Sequence, residues 1–219
     1  MDIDLRLYAL VDPAVAGGRA LSDLTARIAG SATLVQLRDK HSSTRAMVEE
    51  ARRLRGVLEP AGVPLLINDR VDVALAAEAD GVHVGQDDMS AADARLLLGR
   101  TAIIGLSVST IRQAEEAPLE LVDYVGVGAV FPTGSKADSS APIGVSGLRE
   151  IVRTLRGRRP GFPVCGISGI NAGNAAEVIE AGADGVAVIS ALSLAGDPAQ
   201  AARDLRAIVD RGLAQRGRA

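Results

Sequence analysis

Acidic, cationic and amide side chains recur in this chain directly after apolar runs. Residues 64–67 end in Asn68-Asp69-Arg70, and residues 81–84 end in Gly85-Gln86-Asp87-Asp88. A third run, 34–37, carries Gln36 and ends in Arg38-Asp39-Lys40. Carboxylate oxygens at Asp69 and Asp88 suit a hard cation such as Mg2+. The neighbouring cations suit a polyphosphate whose charge is shared between Lys or Arg and the metal. Each group also has a plainer explanation. Asp69 and Asp88 are good helix caps, and Arg38, Asp39 and Lys40 make an ordinary solvated strand end. Both explanations stand at this point.

These groups act together only if the ends of successive runs meet. Eight apolar runs lie at 5–11, 34–37, 64–67, 81–84, 103–108, 124–130, 163–167 and 185–189. Between them come segments of helical period. Leu21, Leu24 and Ile28 share one face, as do Met47, Ala51, Leu54 and Leu58, and further segments lie at 71–79, 91–98, 111–117, 148–155, 175–181 and 199–213. Strict alternation predicts parallel strands joined by right-handed crossovers. Eight such units in this length predict an α/β fold, a (β/α)8 TIM barrel formed by residues 1–219 as one domain. An open doubly wound sheet competes with it, but the phosphate fingerprint expected after a first strand is missing. Asp12-Pro13-Ala14-Val15 stands there instead.

In a barrel the carboxyl ends of the strands share one rim, where the chemistry gathers. The fifth and sixth units add Ser107, Ser109, Thr133, Ser135 and Lys136 to that rim. Residues 132–145 are polar and without period, a candidate lid. The last two units bring Ser168-Gly169 and Ile189-Ser190, where barrels commonly hold a monophosphate on backbone N–H groups. A turn glycine with no ligand would look the same as Gly169. His83 alternates with Val82 and Val84 and is expected to point into the barrel, as a hydrogen-bonded core histidine or a catalytic group.

Composition narrows the partners. The formal net charge is −3 with Arg scattered along the chain, which gives neither a nucleic-acid groove nor a polybasic membrane patch. No apolar stretch approaches the ~20 residues that span a bilayer. The single cysteine, Cys165, reads as a small buried hydrophobe and fits a reducing compartment. A cytoplasmic protein acting on small molecules is expected, with a homo-oligomer left open.

Taken together the motifs resemble the thiamine-phosphate synthase family. The resemblance runs through Tyr8-Ala9-Leu10-Val11, Val35-Gln36-Leu37-Arg38-Asp39-Lys40, Ile67-Asn68-Asp69-Arg70, Gly81-Val82-His83-Val84-Gly85-Gln86-Asp87-Asp88, Gly105-Leu106-Ser107, Phe131-Pro132-Thr133-Gly134-Ser135-Lys136 and Gly182-Ala183-Asp184-Gly185. It implies a (β/α)8 enzyme of thiamine biosynthesis that couples hydroxymethylpyrimidine diphosphate to thiazole monophosphate, or its carboxylated form, and releases pyrophosphate. By the same resemblance, Gln36, Arg38, Asp39, Lys40 and Asn68 hold the pyrimidine diphosphate, and Asp69 and Asp88 bind Mg2+. Ser107 and Lys136 contact the diphosphate, and Arg38, Lys40, Ser107 and Lys136 form the catalytic group. Thr133, Ser135, Gly169, Ile189 and Ser190 line the thiazole phosphate site.

The chain departs from the family in three places. Asp39 stands where Glu is common, Ser135 where Thr is, and Ser168-Gly169 where two glycines are. Ser168 projects a side chain toward the expected thiazole phosphate. Two other readings use the same barrel: a thiazole tautomerase and a catalytically silent thiamine-phosphate-binding regulator. The first expects a histidine where Ala129 stands, and the second has no need to retain Asp69, Asp88, Arg38 and Lys136.

Overall fold

Along each strand, side chains alternate between two apolar environments, and that alternation builds the molecule. The computed structural model describes residues 3–134 and 141–217. Its strands are β1 (Leu7–Val11), β2 (Leu34–Leu37), β3 (Leu65–Asn68), β4 (Gly81–Val84), β5 (Ile103–Val108), β6 (Tyr124–Val127), β7 (Val164–Ile167) and β8 (Gly185–Val188). All pair in parallel in sequence order, and the barrel closes through β1 and β8 with Leu7 opposite Val186.

The outward set, including Leu7, Val35, Ile67, Val82, Val125 and Val186, packs against the surrounding helices. The inward set, including Tyr8, Leu34, Leu66, Ile103, Tyr124, Cys165 and Ala187, forms a second cluster that fills the barrel. The helices are α1 (Leu21–Ile28), α2 (Thr44–Leu58), α3 (Val71–Ala77), α4 (Ala91–Leu98), α5 (Ile111–Glu116), α6 (Gly144–Arg158), α7 (Ala175–Glu180), α8 (Ser190–Ser193) and α9 (Pro198–Arg216). The face predicted for α2 is the buried one, Met47, Ala51, Leu54 and Leu58.

A polar device repeats at the amino-terminal end of the barrel. The residue before each even-numbered strand accepts a backbone N–H from the strand before it. Leu7 donates to Thr33 at 3.1 Å, Leu65 to Asp80 at 2.8 Å, Ile104 to Asp123 at 2.8 Å and Val164 to Asp184 at 3.0 Å. Each bond satisfies an amide that a strand start would otherwise leave open. Asp184 is also held by Arg156 at 2.8 Å and Arg216 at 2.6 Å.

Three differences from the sequence expectation stand out among smaller shifts at element ends. The sixth run is strand only as far as Val127, because the chain then crosses toward β7 and Val130 donates to Ile167 O at 3.0 Å. The aperiodic segment is shorter than expected, since α6 already begins at Gly144. A single helical turn, α8, follows β8 before the closing helix. Among the described residues no helix is long and apolar enough to cross a membrane.

Candidate active site

The carboxyl ends of the strands surround a cavity of about 840 Å³. Gln36, Arg38, Lys40, Asn68, Asp69, Asp88, Ser107, Thr133, Gly169, Ile189 and Ser190, all anticipated from the sequence, line it. Ser135 and Lys136 lie outside the described residues, as does the middle of the candidate lid, residues 135–140. Asp39 is not part of the wall. It accepts the backbone N–H groups of His41 and Ser42 at 3.0 and 2.9 Å, and so shapes the turn that carries Arg38 and Lys40. Burial opposes ionisation of Asp39, but the Ser42 side chain and then these backbone hydrogen bonds outweigh it and hold its carboxyl below the usual range.

Neither Asp69 nor Asp88 caps a helix. The N-cap of α3 is Arg70, with no side-chain cap bond, and the N-cap of α4 is Ser90, which accepts from Asp93 N. Asp69 sits in the left-handed region at φ 61°, where Asp is better tolerated than most residues, and its own N–H donates to His83 O at 2.8 Å. That turn directs its carboxylate to the mouth, where Lys40 pairs with it. Asp88 folds back to accept Gly85 N–H at 2.7 Å. Burial pushes the Asp69 carboxyl upward and the nearby Asp88 adds to this, while Lys40 works against them. A partly buried carboxylate with a second acid beside it is a site that gains from a further cation. Among the described residues no group of three or more His, Cys, Asp and Glu side chains converges as a metal cage. Mg2+ commonly uses only one or two carboxylates beside water and phosphate, and this all-oxygen pair fits it.

Arg38 is fixed by a residue that carried no role in the sequence analysis. Asp12, 1% exposed at the end of β1, forms an ion pair with Arg38 and also accepts Ala14 N–H at 2.9 Å. Below the mouth, five polar groups run in a chain through the barrel. Gln36 Nε2 donates to Tyr8 Oη, and Tyr124 Oη donates to Tyr8 Oη at 2.8 Å. His83 Nδ1 meets Tyr124 Oη at 2.8 Å and His83 Nε2 meets Ser107 Oγ at 2.9 Å. Gly105 makes room for this chain, since a Cβ there would lie 2.3 Å from Tyr124 Oη and 2.4 Å from His83 Nδ1. Tyr8 and Tyr124 were missed, although they are the chain's two tyrosines and both stand in strands at inward positions.

Across the barrel the wall changes character. Ser168 and Gly169 both take φ 71°, turning the backbone sharply after β7. A Cβ on Gly169 would stand 2.6 Å from Pro132 O, so only glycine allows that approach. Ser190 opens α8, which Arg19 braces by donating to Ser193 O and to Ala195 O, the latter at 3.0 Å. Because the strands close in numerical order, this glycine-and-serine wall on β7 and β8 faces the charged wall on β2 to β4.

Comparisons with known proteins identify the family and the fold. The family described as thiamine monophosphate synthase matches residues 7–192. The thiamine-phosphate synthase of Chloroflexus aurantiacus is 50% identical over 208 residues, covering 94% of each chain. That of Agrobacterium fabrum is 47% identical over 215 residues, covering 98% of each. Among solved structures, the thiamine phosphate pyrophosphorylase of Pyrococcus furiosus superimposes with a TM-score of 0.83 at 38% identity, covering 97% of this chain and 98% of that one. A 3-hexulose-6-phosphate synthase, 16% identical with a TM-score of 0.64, shares the fold. A barrel with these motifs in order, and relatives matched over nearly their whole length, leads to one conclusion: the chain belongs to the thiamine monophosphate synthase family, transferases of thiamine biosynthesis.

Proposed function

We propose that the chain couples hydroxymethylpyrimidine diphosphate to thiazole monophosphate, or its carboxylated form, giving thiamine phosphate and pyrophosphate, with CO2 also released when the carboxylated form is used. The observation that carries this reading is the pairing of two unlike walls in one cavity. Arg38, Lys40, Asp69 and Asp88 suit a diphosphate with a cation, and the Ser168-Gly169 turn with Ser190 suits a monophosphate. Asp69 and Asp88 would hold Mg2+, which when bound supplies positive charge to the diphosphate oxygens.

The chemistry needs no nucleophilic side chain. The bond from the pyrimidine methylene to the diphosphate oxygen breaks heterolytically, and its electron pair leaves with pyrophosphate. The lone pair of the thiazole nitrogen then forms the new carbon–nitrogen bond to the methylene cation. Arg38 and Lys40 stabilise the departing charge, Asp12 keeps Arg38 aimed, and the two walls hold the reactants in near-attack geometry. Lys136, with Ser107, would touch the same diphosphate. Thr133, Ser135 and Ile189 complete the monophosphate side, and Asn68 stands beside the cationic strand end. Ala129, 7% exposed, has no titratable group with which to move a proton, which counts against the tautomerase reading.

The test is turnover of both phosphorylated halves with Mg2+, with each component omitted in turn. Thiamine phosphate formed only in the complete mixture supports the reading, and its absence from the complete mixture overturns it.

A further inference from the structure

Exposed apolar side chains are not spread evenly around the barrel. Among the described residues six large ones are exposed, and five of them, Leu75, Met89, Leu96, Leu97 and Ile111, belong to α3, α4, α5 and the connection into α4. Only Leu194 stands elsewhere. Single exposed leucines need no explanation, but a concentration on one side of a molecule marks a surface that meets something.

The centre of that side is α4. Its eight residues divide by helical period. Ala91 and Ala94 are buried and Arg95 and Leu98 half-buried toward the barrel, whereas Ala92, Asp93, Leu96 and Leu97 face outward. Leu96 is 81% exposed and Leu97 50%. The inward positions are already committed, since Arg95 donates to Leu121 O at 3.1 Å and pairs with Asp123 at 2.8 Å. The two leucines therefore have no place in the core of their own chain. Burying one leucine fully is worth about tenfold or more in an association constant.

The charges beside the leucines choose the occupant. Asp93, one turn before them, accepts Ser90 Oγ at 2.7 Å and makes no ion pair among the described residues. Arg100, exposed just past the end of the helix, makes none there either. At 1.5 Å of rise per residue, each charge is about 5 Å from the midpoint between Leu96 and Leu97, on opposite sides. A second α4 laid antiparallel across that midpoint brings Leu96 to Leu97 twice and Asp93 to Arg100 twice, which is the self-matching a twofold contact requires. A parallel pairing would set acid on acid. An apolar membrane surface would strip water from Asp93 and give it no counterion.

We propose that the protein is a twofold dimer through α4, in which Leu96 packs on the partner's Leu97 and Asp93 pairs with the partner's Arg100, with Leu75 and Met89 at the flanks. The leucines lie at the end of α4 remote from the carboxyl ends of the strands, so each copy keeps its own open cavity. The pairing is independent of the functional reading above. Leucines buried twice over, with exposed ion pairs that add little, place the dissociation constant on the order of micromolar.

The experiment is sedimentation equilibrium of the full chain from about 1 to 100 μM, a range that brackets such a constant. The wild type should pass from the mass of one chain to that of two, and its Tm should rise with concentration because only the folded chain dimerises. Leu96→Asp should raise the dissociation constant about 100-fold or more, since a twofold contact loses the leucine twice. Its circular dichroism and its Tm at the lowest concentration should match the wild type, which separates lost pairing from lost folding. Asp93→Lys and Arg100→Asp should each weaken the dimer about tenfold by setting like charges together, and the double variant should recover most of that loss. Asp93→Lys also gives up the bond from Ser90, so a fall in Tm common to the single and double variants is expected, but a merely local effect would not restore dimerisation. A wild-type monomer at every concentration, whether or not it sediments with phosphatidylcholine vesicles or captures another protein, would overturn the inference. So would a dimer indifferent to Leu96→Asp, or one that the charge exchange does not restore.

Discussion

Replacing Asp88 with Asn separates a ligand role from a structural one. Asp88 is exposed, accepts Gly85 N–H at 2.7 Å, faces the carboxyl of Asp69 and caps no helix. Asn keeps an oxygen to accept that N–H, so the fold loses only the difference between a charged and a neutral acceptor, about 1 kcal/mol or less. For a chain of this size that is at most about 2–4 °C in Tm. The substitution also takes away a charge that pushes the carboxyl of Asp69 upward, which offsets part of the loss. The effect on catalysis is of another size. Removing one of two carboxylates that hold a cation against the leaving diphosphate should cost about 3 kcal/mol of transition-state stabilisation, or roughly 10²-fold in rate. The assay is kcat/KM against Mg2+ concentration, with Tm as the folding control. Asp72→Asn, which removes an equally negative group paired with Arg70 on the outside of α3, controls for net charge. A well-folded Asp88→Asn enzyme with unchanged turnover and unchanged Mg2+ response would refute the metal assignment.

Asp12→Asn retains the bond from Ala14 N but strips Arg38 of its buried counterion. Because Arg38 reaches the cavity and water, the loss should fall below that of a fully buried pair, at about 2 kcal/mol or ~4–8 °C in Tm, with kcat falling as Arg38 loses its aim. Gly169→Ala combines the left-handed φ of 71° with a Cβ 2.6 Å from Pro132 O. It should raise KM for the thiazole phosphate while leaving that for the pyrimidine diphosphate in place, and two-substrate kinetics in which both constants rise together would refute the division of the cavity. Ser168→Gly relieves about 1 kcal/mol of left-handed strain and loses a similar amount to chain entropy. Its Tm should therefore hardly move, while KM for the thiazole phosphate falls; an unchanged KM would show that Ser168 does not obstruct that site.

The barrel was legible because its strands are short apolar runs and its helices keep their period, so the alternation survives without any packing information. Most of the charged wall was legible for the same reason, since a charged residue after an inward-facing run has one rim to go to. Asp12 followed the same rule as Asp69 and Asp88, but its role depends on Arg38, 26 residues away, a pairing that exists only once β1 and β2 lie side by side. Tyr8 and Tyr124 looked like ordinary core residues, because their hydroxyls acquire meaning only through His83 and Gln36 on other strands. The early start of α6 was hidden by Gly144 and Gly147, poor helix formers that tertiary packing overrides. The turn α8 spans four residues, too few to show a period. The ambiguity between caps and ligands at Asp69 and Asp88 was settled against caps by Arg70 and Ser90, which hold the N-cap positions themselves.

The central claim is that two phosphorylated rings are joined in one cavity with loss of pyrophosphate. Its most direct test is to quantify pyrophosphate and thiamine phosphate together as the purified protein consumes both halves with Mg2+. The account predicts equal molar amounts of the two products at every time point, and none of either when the pyrimidine diphosphate is omitted. Pyrophosphate without thiamine phosphate, altered thiazole without consumption of the pyrimidine, or tight thiamine-phosphate binding with no turnover would each contradict it.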